Sequence, residues 1–467
     1  MIFRKSSVVT VGYSQCISVT TTVLIVLLVL LLQRTAYADG FRNPFQSAAA
    51  IGQGNAFAAQ ADDASAVFYN PAGMTQLQGI HHVGGVELVN VDTEFRGLNG
   101  ETTENDLGGP FGFPPPLQLF VTATPKDFNI PWLGDLTVGF GLQNLFGFAA
   151  RYPKDGPLNT AVTEASLPLI DIKPTFAYRL SDWLSIGAGM DIFTFWTGLV
   201  GGAEQKFISP GLPGIPAGSR VRITGDGTAV GGNASLLLTP LRTVEGAPRV
   251  NLGFVWRSAA DLPLHGDLHV DGVKIAKSKS GLHFPDIYTV GLAVWPLRNR
   301  DREWKLETDV DYVRWDTIRN QRFKFSNGVT LDIPQTWRKA VSVNTGTEYK
   351  WIEPSKLPHW DLALRAGYIW SETPVSDQNF SPAFPDSNGH VLSAGMGLTC
   401  KPGGKFLGLF SCGETDEVSP WHHMGIDLAY QIVLWETRRV LESPNPAVNG
   451  RYKSLNQALA VSFRVGF

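Results

Sequence analysis

The C-terminal end of the chain shows the hydrophobic pattern most plainly. Apolar side chains alternate there with small or polar ones at a period of two, as in a β-strand with one apolar face. The apolar positions are Leu459, Val461, Phe463, Val465 and Phe467, and the positions between them are Ala460, Ser462, Arg464 and Gly466. We expect a strand with one face turned to lipid and the other to a polar interior.

The same alternation recurs from Ile80 onward, and no helical period persists there. We predict an all-β fold of fourteen strands, with Arg220–Thr239, Val250–Val270 and Trp304–Phe325 each forming one continuous strand. A soluble β-sandwich could alternate in the same way, with its apolar face turned inward. The even strand count and the C-terminal Phe467 instead favour a transmembrane antiparallel β-barrel, closed because lipid offers no partner to an exposed sheet edge.

The N-terminus has the features of an export signal. Its parts are Arg4 and Lys5, an unbroken apolar run from Val23 to Leu32, and the sequence Ala36-Tyr37-Ala38. A charged start, a short apolar run and an Ala-x-Ala site are typical of a cleaved signal peptide. The apolar run is shorter than the roughly 20 residues that a spanning helix needs. We therefore expect residues 1–38 to be removed, so that the mature chain begins at Asp39.

The mature chain opens with a stretch from Gly40 to Met74 that is rich in Gly, Ala and Asn. Such small side chains cannot build a core of their own. We predict that residues 39–79 plug the lumen of a barrel formed by residues 80–467.

Residues Asp62 to Met74 read DDASAVFYNPAGM and contain the turn sequence Asn-Pro-Ala. By itself Asn-Pro is a common turn starter, and Asp-Asp-Ala-Ser can simply cap a short helix. The whole segment, placed after an export signal, resembles the N-terminal hatch of the FadL/TodX family. These proteins are outer-membrane transporters of long-chain fatty acids and other hydrophobic compounds. The resemblance implies that the hatch and its gate include Asn70, Pro71, Ala72 and Gly73.

The chain departs from the family at one point that matters for mechanism. Family members commonly have Pro-Phe-Gly near the end of the third strand, where a kink opens the barrel wall, whereas this chain has Leu145-Phe146-Gly147. Glycine tolerates the backbone geometry of a kink or bulge. The resemblance therefore implies a lateral opening at Phe146 and Gly147.

Composition and charge exclude several classes of protein. A net charge of -3 and a near-balanced count of acidic and basic residues argue against a nucleic-acid binder. The 49 glycines and the 11% aromatic content suit a barrel with a crowded lumen and aromatic girdles.

Cys16 leaves with the signal peptide, and the mature chain retains Cys400 and Cys412. An even number of cysteines in an exported protein predicts a disulfide, with two free thiols as the alternative.

Strand parity turns a set of charged side chains toward the lumen. The arginines are Arg257, Arg338, Arg365 and Arg464, and the acidic residues are Asp191, Glu307, Asp309, Asp311, Glu348 and Asp427. Most of these can be a structural network of ion pairs. Alternatively, one or two arginines lack a carboxylate partner and bind the acidic head of a ligand.

No catalytic, cofactor or metal site is expected. The chain has no Gly-x-Ser-x-Gly sequence, and the glycines at Gly52 and Gly54 lack the third glycine of a dinucleotide loop. The pairs His81-His82 and His422-His423 cannot each share one ion, because adjacent strand residues point to opposite faces.

The resemblance implies passive uptake of hydrophobic molecules, either long-chain fatty acids or hydrocarbons, across the outer membrane of a Gram-negative bacterium. The ligand would be captured in a lumenal pocket, and after a rearrangement of the hatch it would leave sideways through the wall. Expected partners are this ligand, outer-membrane lipid and lipopolysaccharide, with no nucleic acid and a monomeric state. The alternatives are an adhesin or phage receptor and a lipid-modifying barrel enzyme.

Overall fold

The computed structural model describes residues 39–105, 107, 111–112, 115–125, 134–413 and 422–467. The predicted signal peptide, residues 1–38, lies outside the described residues. None of the helices in the described part of the chain is long and apolar enough to cross a membrane.

Fourteen strands form one closed antiparallel ring. They are β1 (Ile80–Gly97), β3 (Leu117–Ala123), β4 (Leu136–Gln143), β7 (Leu169–Ser181), β8 (Leu184–Phe195), β11 (Ala229–Arg242), β12 (Pro248–Arg257), β15 (Ile287–Arg298), β16 (Arg302–Val313), β19 (Ala340–Trp351), β20 (Trp360–Ser371), β21 (Gly389–Cys400), β24 (His423–Trp435) and β26 (Gly450–Gly466). The ring closes where β1 pairs with β26, from His81 opposite Gly466 to Gly97 opposite Gly450. The prediction of a closed fourteen-stranded barrel is confirmed.

The barrel is apolar outside and polar or small-residued inside. On β26, Leu459 and Phe463 are exposed. Ala460 and Ser462, which lie between them in the sequence, are buried against the contents of the lumen. This inverts the arrangement of a soluble sandwich, because a barrel in lipid turns its apolar face outward.

A second sheet, of eight strands, was not predicted. It consists of β5 (Ala149–Arg151), β6 (Glu164–Ser166), β9 (Ala203–Ile208), β10 (Arg220–Gly225), β13 (Ala260–Val270), β14 (Val273–Phe284), β17 (Asn320–Phe325) and β18 (Thr330–Pro334). All eight strands lie in connections that leave ring strands of odd rank. In an even-stranded barrel with both ends on the periplasmic side, these connections face outward. Short strands β2 (Thr102–Glu104) and β25 (Arg438–Val440) extend the ring at the same end.

Three predicted strands are therefore wrong as single elements. Arg220–Thr239 divides into β10 and β11, Val250–Val270 into β12 and β13, and Trp304–Phe325 into β16 and β17. Both sheets bury one face, so the alternation of side chains continues across the break where the chain passes from one sheet to the other. Alternation alone cannot locate that break.

The N-terminal segment, residues 39–79, lies inside the ring. It contains helices Ala48–Ile51 and Ala66–Tyr69 and the 3-10 helix Pro71–Gln76. The other helices in the described part of the chain are Thr197–Val200 and the 3-10 helices Trp315–Thr317, Asp377–Asn379 and Pro446–Val448. Helices of one turn are not stable by themselves. The N-terminal segment therefore depends on its contacts with the wall, and nearly every residue from Gln46 to Met74 is buried.

A small hairpin connects β21 to β24 at the opposite end of the barrel from the second sheet. It is formed by β22 (Lys405–Phe406) and β23 (Phe410–Ser411), and a disulfide joins Cys400 to Cys412 at its base, with Cα atoms 5.8 Å apart. Closing a loop of this length contributes about 3 kcal/mol to stability on the chain-entropy model.

We predict that the purified, unreduced protein contains the Cys400–Cys412 bond. Digestion without reductant should yield one cross-linked pair of peptides that separates into two after reduction. Alkylation of both thiols in the unreduced, denatured protein would contradict this prediction.

Candidate functional site

Two lumenal carboxylates bind the backbone of the N-terminal segment. Asp309 accepts hydrogen bonds from the amides of Phe57 and Ala58, each at 2.8 Å. Glu307 accepts from the amide of Ala59 at 2.7 Å, and from that of Gln60 at 3.1 Å. Buried backbone amides without an acceptor cost free energy comparable to a lost hydrogen bond. These acidic residues of β16 therefore hold the segment in the lumen.

Glycines in the wall allow the segment to approach closely. A Cβ atom at Gly346 would lie 2.0 Å from the carbonyl oxygen of Gln53, and one at Gly367 would lie 2.1 Å from the amide nitrogen of Gly54. No other residue fits where backbone meets backbone in this way. Part of the high glycine content thus serves the contact between wall and N-terminal segment.

Asn70 forms the corner between the two last helices of the segment. Its side-chain amide donates to the carbonyl oxygen of Ala58 at 2.7 Å and to that of Leu236 on β11 at 3.0 Å. Its side-chain oxygen accepts from the amide of Ala72 at 3.1 Å, which caps the 3-10 helix that begins at Pro71. Asn70 is fully buried. It therefore links the N-terminal segment both to itself and to the barrel wall.

Ring strand β4 ends at Gln143, and the hydrogen-bonded ladder of the wall is interrupted there. Beyond Gln143 the chain turns inward and pairs with the N-terminal segment instead of with a neighbouring ring strand. The amide of Asn43 donates to the carbonyl oxygen of Leu145 at 2.7 Å, and the amide of Gly147 donates to that of Phe41 at 3.1 Å. Phe146, only 2% exposed, joins an aromatic cluster in the lumen.

A cavity of about 460 Å³ lies at this interruption. Apolar side chains on its border include Phe41, Phe45, Val89, Val91, Phe146, Phe148, Leu167, Leu169, Ile369, Phe384, Val391, Val433 and Trp435. Leu117, Leu142 and Ile170 also border it, although strand parity turns them to the outer face of the wall. The cavity therefore has borders on both faces of the sheet.

The four arginines predicted to bind a ligand do not line this cavity. Arg365 pairs with Glu348 at 2.6 Å and with Asp427 at 2.7 Å, and Arg464 pairs with Asp427 at 2.5 Å. Asp191, another of the acidic residues predicted to face inward, pairs with Lys173. These side chains form the structural network that was one of the two interpretations.

Arg257 and Arg338 have different surroundings. Arg257 donates to the carbonyl oxygen of Phe68 and stacks over its ring, with 4.4 Å from the guanidinium carbon to the ring centroid. Within the described residues it forms no ion pair shorter than 4.0 Å. Arg338 is exposed and precedes β19, so strand parity does not assign the direction of its side chain.

Arg42 is the cationic side chain among the described residues that border the cavity. It pairs with Asp39 at 2.7 Å and with Asp311 at 2.8 Å, so its charge is neutralised. Burial raises the pKa of Asp39 to about 6, and Arg42 opposes that rise. Sequence reasoning missed this residue, and the only signal was that Arg42 is the one basic residue between Gly40 and Met74.

Asp386 also borders the cavity, from the connection between β20 and β21. Burial raises its pKa to about 8, although the Thr373 hydroxyl and Arg438 oppose the rise. Its carboxyl group is therefore mostly protonated at neutral pH, so it adds little negative charge to the cavity.

The two histidine pairs lie at the other end of the barrel. His81 and His423 approach each other across Gly466, with ring centroids 5.4 Å apart. In the described part of the chain, no group of three or more His, Cys, Asp or Glu residues is arranged to hold a metal ion.

Comparison with known proteins extends these observations. A sequence model described as "Outer membrane protein transport protein (OMPP1/FadL/TodX)" matches residues 29–405. The long-chain fatty acid transport protein of Salmonella typhi is 23% identical over 392 residues, which cover 79% of this chain and 85% of that protein. A putative outer membrane protein of Neisseria meningitidis is 25% identical over 404 residues, covering 78% of this chain and 83% of that protein.

Solved structures share the fold. The crystal structure of a Pseudomonas aeruginosa FadL homologue has a TM-score of 0.70 at 18% identity, covering 92% of this chain and 100% of that one. The Pseudomonas putida toluene transporter TodX has a TM-score of 0.62 at 17% identity, with the same coverage. From the family match and the closed fourteen-stranded barrel, we conclude that the chain belongs to the outer membrane protein transport family (OMPP1/FadL/TodX) and is an outer-membrane protein of Gram-negative bacteria.

Proposed function

We propose that the protein takes up hydrophobic molecules passively, by capture in the lumenal cavity and sideways exit through the wall. The observation that carries the proposal is the cavity at the end of β4, which borders side chains from both faces of the sheet. A hydrophobic solute gains nothing from a water-filled pore. A sideways route keeps it among apolar side chains until it reaches lipid.

The named relatives agree with this class of cargo. One is called a long-chain fatty acid transport protein and another a toluene transporter. Both names describe transport, which supports the proposal that this protein is not an enzyme.

If the barrel instead hydrolysed lipid, the purified protein would release fatty acid from vesicles. If it served only as an adhesin or phage receptor, deletion of its gene would leave hydrocarbon uptake unchanged.

We further propose that the preferred cargo is uncharged. A carboxylate entering the cavity would meet Arg42, which is already paired with Asp39 and Asp311. Removing either partner to bind a ligand would leave a buried charge unpaired, which costs free energy. A hydrocarbon can bind without displacing either carboxylate from Arg42.

The N-terminal segment would act as the gate. Residues 41–43 pair with the chain beyond β4, and Asn70 links the same segment to the wall further along. Movement of the segment would therefore change the border of the cavity at the wall interruption.

The first prediction concerns the exit. Leu142→Trp adds a large side chain where the cavity meets the outer face, and we expect it to lower hydrocarbon uptake while binding to the purified protein persists. Phe140→Trp is the matched control, because Phe140 lies on the same strand and face, exposed but outside the cavity. Equal uptake by the two variants would argue against exit at this point.

The second prediction concerns the charge of the cargo. A long-chain alkane should bind the purified protein at least as tightly as the fatty acid of equal chain length, measured by displacement of a fluorescent probe. A charge-assisted contact would favour the acid by roughly 1.5 to 3 kcal/mol, or about one to two decades in affinity. If the acid shows that advantage and loses it in Arg257→Ala, Arg365→Ala or Arg464→Ala, the cargo is an acid and the uncharged proposal fails.

The third prediction concerns the gate. Asn70→Ala removes the cap of the 3-10 helix and the bond to Leu236, and we expect altered uptake per folded molecule with unchanged heat-modifiable mobility on gels. A lost cap costs about 1 kcal/mol of stability. This is far less than the free energy that the strand pairing of a closed barrel contributes.

The chain supplies a matched control for this variant. Asn445 precedes Pro446 and Ala447, and its side chain accepts from the amide of Ala447 at 3.1 Å, as Asn70 does from Ala72. Asn445→Ala removes the same kind of cap from a connection outside the barrel and should leave uptake unchanged. Normal uptake by Asn70→Ala at normal folded abundance would exclude the gating role.

A further inference from the structure

The disulfide-closed hairpin lies on the outer face of the barrel wall, at the periplasmic end. On β21 the odd-numbered residues face the lumen, so Cys400 faces outward. Its neighbours in register, Trp360 on β20 and Met424 on β24, face outward as well. Met424 is nevertheless only 6% exposed, and it belongs to a buried cluster with Phe406 and both cysteines. The hairpin therefore covers part of the surface that the barrel would otherwise present to lipid.

After leaving β21 the chain turns back toward the membrane. Phe406 contacts Phe463, with ring centroids 5.6 Å apart, and it stacks on Trp360 at 5.9 Å. Phe463 pairs with Ile426, two residues further along β24 than Met424 and toward the middle of the barrel. Two residues correspond to about 7 Å along a strand. The hairpin thus lies against the outward face of the wall, reaching the second outward position from the start of β24.

The tip of the hairpin is apolar and exposed. Leu407 is 75% exposed, Leu409 is 79% exposed and Phe410 is 58% exposed. Only Lys405 and Ser411 provide polar side chains along the two strands. In water such a tip would be unfavourable.

The backbone conformation of the turn does not favour a leucine at position 407. The amide of Leu409 donates to the carbonyl oxygen of Phe406, and the two residues between them, Leu407 and Gly408, have φ of 51° and 72°. Turns with two residues of positive φ favour Asn-Gly, and a bulky residue is strained in that conformation. Leucine at this position therefore indicates a contact made by its side chain.

We propose that the hairpin inserts its tip, Leu407, Leu409 and Phe410, into the periplasmic leaflet of the outer membrane. The tip continues the lipid-facing surface of the barrel, against which the hairpin already packs. Exposed Lys405 lies beside it, where a cation suits the anionic headgroups of phospholipid. The disulfide holds the hairpin against the wall and fixes the depth of the tip. This inference rests on the outer-membrane location and is independent of the proposed transport.

Photocrosslinking in the reconstituted full-length protein tests the proposal. p-Benzoylphenylalanine placed at Phe410 is close in shape to the native side chain. In vesicles of phosphatidylethanolamine and phosphatidylglycerol, illumination should attach phospholipid there, as detected by mass spectrometry. The same probe at Phe176, which is 55% exposed on the outer face of β7, gives the reference for full lipid contact. At Val244, on the tight turn between β11 and β12 at the same end of the barrel, it gives the reference for an exposed apolar residue in water.

We expect a phospholipid yield at Phe410 that is close to that at Phe176 and several-fold above that at Val244. The paired substitution Leu407→Asn and Leu409→Ser suits the turn while removing its apolar side chains, and it should lower the yield at Phe410 toward the Val244 value. Heat-modifiable mobility confirms that each variant is folded. A Phe410 yield equal to that at Val244 overturns the proposal. So does crosslinking to a second copy of the protein in place of lipid, or a yield that the paired substitution leaves unchanged.

Discussion

The structure depends on satisfying the backbone of a segment that lies inside a barrel. Residues 39–79 have helices of a single turn and so leave many amides and carbonyls without helical partners. Buried backbone groups without hydrogen bonds cost free energy comparable to a lost hydrogen bond. Inward side chains of the wall supply the partners: Asp309 and Glu307 accept from four consecutive amides, and Asn251 donates to the carbonyl oxygen of Ala59 at 2.9 Å. The acidic side chains of Asp309 and Glu307 therefore serve to bind the N-terminal segment to the wall.

That assignment changes how the lumenal charges relate to the cargo. Arg365 and Arg464 share Asp427, and Arg257 reaches a carbonyl oxygen of the N-terminal segment, so each cation already has a structural contact. The cavity lies beyond them, at the interruption of the wall, and its polar side chains are mostly amides and hydroxyls. Charge thus fixes the N-terminal segment in place, while apolar side chains form the space beside it. The paired charges and the apolar cavity are separate because burying an unpaired charge costs free energy.

Sequence reasoning reached the ring of strands because a period of two, with apolar residues outside, is imposed on every lipid-facing strand. It missed the second sheet, since β13 continues the alternation of β12 after only two residues, Ser258 and Ala259, and each sheet buries one face. Parity placed Arg365 and Arg464 in the lumen, but it does not apply to Arg338, which precedes its strand. Pairing partners cannot be read from parity, because register between strands depends on contacts far apart in sequence. For the same reason the sequence did not reveal that Arg42 pairs with Asp311, which is distant in the chain.

The chain turns inward beyond β4 without a proline. A proline would force a kink by removing an amide donor, but Leu145 keeps its amide and the turn needs another cause. Here the N-terminal segment provides it. The amide of Asn43 donates to the carbonyl oxygen of Leu145, and the amide of Gly147 donates to that of Phe41, where a ring strand would otherwise continue. A Cβ atom at Gly147 would lie 2.9 Å from the carbonyl oxygen of Leu167, so glycine is required for the close approach. Displacing residues 41–43 must therefore break the hydrogen bonds that join the N-terminal segment to the chain beyond β4.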